Sequence, residues 1–276
     1  MSGERIDGAV HIWSNDHVAY PWAPHNAVDL PSEPATAEQL TTTLATVGFA
    51  GAVCVQPRVY GYDHAYLVTA LRSQPGLVGI CLVNPVRPTA PEELRLLVEQ
   101  GCAGVRLLPL ASEDPDWLDG SAGDALWETA ETLDIPVSIL ARPDQLLRVR
   151  HRAVRHPSLS VVLDHLGSVQ PGKNPDDVAE LLECASTANI FVKVSAFGSL
   201  STQEWPYRDL HDLLHQVAAS FGPDRMIFGT DWPYVLEHGP YDLSLQIVND
   251  VLSFSSDDQH SFLGGNARRL WWRERP

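Results

Sequence analysis

Apolar residues fall along this chain in eight short runs, 6–12, 51–56, 77–84, 103–108, 135–140, 159–165, 190–195 and 225–231. Runs of that length, bounded by turn signals, read as buried strands. Between them lie stretches with helical apolar spacing: 36–47, 62–73, 90–100, 122–133, 143–156, 175–188 and 207–221, with 241–252 and 257–271 closing the chain. Several open on Pro or an acidic residue, as first turns often do. Strands that are apolar on both faces belong in a parallel sheet covered on both sides. Eight is the number that closes a barrel. The pattern therefore predicts an α/β protein, a single-domain (β/α)8 TIM barrel over 1–276, with a doubly wound open sheet as the runner-up. No repeat, low-complexity tract or linker interrupts it. Residues 14–35, rich in Pro and aromatics, are expected to fold over the barrel mouth.

Composition narrows the partners. The formal charge is −16, so neither nucleic acid nor an anionic membrane is expected. A pocket can still be locally cationic, so a small anionic substrate stays open. Met1 to Arg5 is polar with no apolar segment behind it, and no apolar run approaches 18 residues, so neither a secretory signal nor a membrane span is expected. Cys54, Cys81, Cys102 and Cys184 are scattered and read as thiols of a reducing, cytoplasmic compartment rather than a disulfide framework.

Candidate chemistry sits at strand ends. The last run closes on Asp231, which is followed by Trp232 and Pro233. A carboxylate at the carboxyl end of a buried strand occupies the place where parallel α/β proteins keep their chemistry; a helix N-cap is the plain alternative. Taking Asp231 as inward-facing, strict alternation adds Asp7, Ala9 and His11 from the first strand, Gln56 from the second and Arg106 from the fourth. The sixth adds His165, and the seventh Lys193 and Ser195. Only Lys173 and Lys193 are lysine. A lysine between Val192 and Val194 is costly unless paired. It is either half of an ion pair, with Asp164 or Asp231, or a cation aimed at a substrate carboxylate or oxyanion; Arg106 carries the same two readings. Trp13, Tyr60 and Trp232 are candidate pocket walls, although packing is the commoner fate of a tryptophan. Trp271 and Trp272 are expected to cap the barrel or to form a homo-oligomer interface.

Five segments resemble the amidohydrolase superfamily, in particular its branch of lactonases and related dicarboxylate hydrolases. They are Ile6–Trp13 (IDGAVHIW), Val162–Gly167 (VLDHLG), Val192–Ser195, Phe221–Pro233 and Leu263–Leu270 (LGGNARRL). The resemblance implies a (β/α)8 barrel with its site at the carboxyl ends of the strands. It implies Asp231 as the base that activates water, with His11 and His165 binding or polarising the scissile group. The chain departs from the family pattern at one place. Where relatives open on Asp-x-His-x-His, two histidines that chelate a divalent metal, this chain has Ala9 as the first. Ser138 and Leu140 are also poor stand-ins for the ligand metal-dependent relatives carry on strand five, and catalytic zinc typically needs three protein ligands. No cofactor is expected; the alternative is one divalent ion, zinc or manganese, at His11, His165 and Asp231.

The expected reaction is opening of a lactone or similarly activated ester in a small anionic substrate. Asp231 would act as general base, and Lys193, Arg106 or a histidine would stabilise the oxyanion. The remaining candidates, Gln56, Tyr60, Trp13, Ser195 and Trp232, would bind substrate. Two rivals remain: a metal-dependent non-oxidative decarboxylase, against which Ala9 counts, and a degenerate barrel that binds without turnover.

Overall fold

All eight apolar runs are strands in the computed structural model, which describes residues 4–23, 33–108, 117–118 and 120–272. The central part of the expected mouth loop, 24–32, lies outside the described residues. The strands are β1 Ile6–Val10, β2 Gly51–Val55, β3 Leu77–Leu82, β4 Cys102–Leu107, β5 Val137–Ile139, β6 Val161–Leu163, β7 Ile190–Val194 and β8 Met226–Phe228. They form one parallel sheet in the order β1 to β8. The seam is drawn together by Asp231 N donating to Ala9 O at 2.9 Å and His11 N to Trp232 O at 2.7 Å, with a parallel bridge between Val10 and Trp232. This is the (β/α)8 barrel the pattern predicts.

The intervening helices are α1 Ala37–Val47, α2 Ala65–Ser73, α3 Ala90–Glu99, α4 Ser121–Thr132, α5 Leu146–Arg155 and α6 Pro175–Cys184. They are followed by α7 Phe197–Leu200, α8 His211–Phe221, α9 Leu243–Val251, α10 Ser256–His260 and α11 Asn266–Trp271. Local chemistry starts them. Thr36 and Gln39 form a reciprocal capping box on α1, and Asn174 caps α6 ahead of Pro175. The stretch expected as one final helix, 257–271, is broken by a wide turn at Ser261–Gly265. A Cβ on Gly264 would stand 2.3 Å from Glu4 O, so the chain turns here to pass under β1, and only glycine fits. The short α7 leaves no periodic trace in the sequence.

Two apolar layers result. The larger packs the outer strand faces against the helices and includes Val10, Ile12, Cys54 and Trp232. The smaller fills the barrel with Ile6, Val53, Ile80, Val162, Phe191 and Ile227, and is floored by Ala267, Leu270 and Trp271 of α11. Trp271 therefore caps the barrel, at 3% exposure. All four cysteines are buried. Among the described residues no helix is long and apolar enough to cross a membrane.

Candidate active site

Parity places the site. On β8, Ile227 lies in the barrel layer, so Gly229 and Asp231 follow on the same side. On β7, Phe191 does the same for Lys193 and Ser195. On β1 the alternation slips: the register shifts between Asp7 and Val10, so Ile6 and His11 both face inward. Asp7, expected inside, instead faces the seam. It accepts from Ala9 N (3.1 Å), Thr230 N (3.0 Å), Thr230 Oγ1 (2.5 Å) and Tyr241 OH (2.6 Å). Burial, partly offset by those bonds, pushes its pKa up to about 6.

The polypeptide leaves β6, β7 and β8 in the same way. His165 (φ 50°), Ala196 (φ 58°) and Asp231 (φ 65°) all take left-handed backbone, a conformation non-glycine residues adopt only where surroundings enforce it. The turns bring His165 back beside Asp231. Asp231 Oδ1 then lies 3.4 Å from His11 Nε2 and 3.8 Å from His165 Nε2. These are charge-contact distances, and Oδ1 has no hydrogen-bond partner although it is buried. His11 Nδ1 lies 2.9 Å from Val55 O. A carbonyl only accepts, so Nδ1 carries a proton and Nε2 is left facing the carboxylate. His165 Nδ1 meets Ser195 Oγ at 2.8 Å, which turns its Nε2 the same way. Two imidazole nitrogens thus point at one bare carboxylate oxygen.

Burial works against charge on Asp231. The charge of His165, the contact with His11 and the charge of Arg106 outweigh it and bring the pKa to about 2. Burial also lowers the pKa of His165.

Beneath this cluster is a second one. Asp164 Oδ2 accepts from Arg106 Nε at 2.7 Å, and its Oδ1 lies 3.0 Å from Lys193 Nζ. All three residues are buried. The lysine contact is an ion pair rather than an aligned hydrogen bond, and Nζ also lies 5.4 Å over the Trp271 ring. Burial disfavours the Asp164 anion, yet Lys193 and Arg106 together hold its pKa well below the carboxylate range. Of the two readings the sequence leaves for Lys193, its position is the ion pair, closed to solvent.

The other candidates divide. Gln56 does not face the cluster; its Nε2 donates to Gly61 O (3.2 Å) and Asp63 O (2.7 Å). Tyr60 OH accepts from Ser14 N, and Trp13 Nε1 donates to Glu33 O. Trp232 packs in the outer layer. The ring that covers the histidine is one the sequence reading passes over. Tyr234 stands edge-on to His11 at 5.6 Å and tilted against Trp13 at 5.8 Å. Its only sequence signal is its place three residues after Asp231. A shallow cleft opens beside Asp231, lined by Phe197, Tyr207, Tyr234, His238 and Leu243 among others.

Among the described residues no group of three or more His, Cys, Asp or Glu is arranged to hold an ion. The side chain that would complete a pair with His11 is Ala9. A Cβ on Gly229 would come within 2.7 Å of the Ala9 Cβ, so β8 packs directly against it.

The chain matches the family model described as amidohydrolase over residues 6–273 and belongs to that family. It is 26% identical to a 4-sulfomuconolactone hydrolase of Rhizobium radiobacter, covering 96% of this chain and 89% of that protein. It is 27% identical to a 2-pyrone-4,6-dicarboxylate hydrolase of Comamonas testosteroni, covering 98% and 90%. The fold superposes with a TM-score of 0.83 on a probable 2-pyrone-4,6-dicarboxylic acid hydrolase of Acinetobacter baumannii solved with citric acid bound. That match has 23% identity and covers 98% of this chain and 99% of the other.

Proposed function

We propose that this amidohydrolase-family barrel opens a lactone of a small anionic acid, with Asp231 as general base and without a metal. The observation that supports this best is the bare Asp231 Oδ1 facing His11 Nε2 and His165 Nε2 at 3.4 and 3.8 Å. A carboxylate and two imidazoles around one point can hold a water by its protons and a carbonyl by its oxygen. Asp231 takes a proton as that water attacks the lactone carbonyl. The oxyanion forms beside the imidazoles of His11 and His165, since Lys193 and Arg106 are both paired with Asp164. The ring C–O bond then breaks, and Asp231 returns its proton to the departing alkoxide, leaving a hydroxy acid. A lactone is strained and activated enough to react without a strong Lewis acid. Two of the hydrolases to which the chain is similar are named for a lactone and for a pyrone, itself a cyclic ester.

The test is a panel of carboxylated lactones followed by acid release, with and without chelator, on wild type and Asp231→Asn. The expected result is chelator-insensitive turnover, with kcat reduced about 10²–10⁴-fold in the variant, the range for loss of a general base. Stoichiometric bound metal with activity lost on chelation overturns the metal-free mechanism. Release of carbon dioxide in place of ring opening points to the decarboxylase.

A further inference from the structure

The cations nearest the reacting point are already committed. Arg106 Nε and Lys193 Nζ share the single carboxylate of Asp164, and Lys193 is fully buried. An anionic substrate therefore needs another positive group at the mouth. Arg58 stands on the turn Arg58–Tyr60 directly after β2. Its Nε is buried without a hydrogen-bond partner, a costly state for a charged donor unless a ligand completes it. That turn lies at the carboxyl end of β2, the same end of the barrel at which His11, His165 and Asp231 meet.

The turn that carries Arg58 is fixed on every side. Val55, three residues earlier, takes the His11 Nδ1 proton. Gln56 clamps the far end of the turn through Gly61 O and Asp63 O. Tyr60, two residues later, holds Ser14 N, and Val59 O accepts from Ala23 N. Gln56 and Tyr60 thus act on substrate through the loop they hold, as positioning residues. The backbone that carries Arg58 is tied to the same strand end that orients His11, which restricts where an anion seated on its side chain lies relative to the attacked carbonyl.

We infer that Arg58 is the carboxylate-recognising residue of this site, and that the substrates are lactones that carry a carboxylate. The inference rests on the hydrolytic reading of Asp231 for its kinetic arm only. The experiment therefore has two arms on wild type, Arg58→Met and Arg58→Lys, each checked for native circular dichroism. The first is calorimetric titration with citrate, which needs no turnover. Wild type is expected to bind, and Arg58→Met to bind about 10- to 100-fold more weakly, the loss of a charge-assisted pair. Arg58→Lys should recover part of that affinity. The second compares kcat/KM for a carboxylated lactone with that for its neutral methyl ester. Arg58→Met should lower that ratio at least tenfold through KM, because anchoring acts equally on ground and transition states. Citrate binding that is absent, or equal in wild type and Arg58→Met, overturns the assignment, as does an unchanged ratio. Arg58-dependent citrate binding with no lactone turnover by wild type sinks the lactonase reading and leaves the anion site standing.

Discussion

At the scale of single residues, the site depends on which nitrogen of His11 carries its proton, and a backbone carbonyl decides it. Asp7 shows a different control. Burial raises its carboxyl from 3.8 to about 6, against the pull of four hydrogen bonds. The folded chain therefore keeps a proton there that the unfolded chain loses between about pH 4 and 6. The resulting stabilisation is complete below pH 3.8 and lost as pH rises through 6, a swing on the order of 3 kcal/mol. Asp7→Asn has no such swing. Urea titrations at pH 4 and pH 7 should show wild type gaining relative to the variant at pH 4; equal gaps at both pH values would refute the raised pKa. His11, His165 and Asp231 were legible in the chain as polar residues ending apolar runs, sharpened by the family resemblance. Asp7 was misplaced because strict alternation cannot foresee the register slip on β1. Arg58 and Tyr234 lie in turns just past the strand ends, where no periodicity marks them.

At the scale of elements, existence and order were readable where ends were not. The run 159–165 holds only three ladder residues, Val161–Leu163, because Asp164 and His165 turn out of the sheet to do other work. The run 225–231 likewise gives Met226–Phe228, with Gly229 to Asp231 leaving to close the seam. The charged layer across β4, β6 and β7 can be ranked. Asp164→Asn leaves two cations side by side in a dry interior and is expected to cost about 3–5 kcal/mol. Lys193→Met leaves Arg106 paired with Asp164 and sets an apolar chain over Trp271, so it should cost less. Chemical denaturation of both variants checks the order, and a reversed ranking would show that Asp164 is held mainly by the lysine. Trp271→Ala empties the floor beneath that layer and should cost about 3–5 kcal/mol, read in the same titration.

At the scale of the whole molecule, acidic composition and a cationic site coexist because the charges are segregated. Buried Arg106 and Lys193 answer buried Asp164, and buried Arg152 meets Asp124, while the surplus negative charge is left for the surface. Elemental analysis of purified protein is expected to find no stoichiometric zinc or manganese, since β1 offers one imidazole where a chelating pair would be needed.

The seam has a consequence for the chain as it is made. Thr230 meets Asp7 across 223 residues of sequence, and Tyr241 joins them from further still. Loop closure over that span comes late and is slow. Until residues 226–232 have been translated, the β1 edge that they cover has no partner in the chain. Asp231, the proposed general base, is one residue beyond Thr230. The proposed base thus reaches the site in the same step that covers an exposed sheet edge, and a nascent chain stalled before that step exposes the edge and lacks the carboxylate.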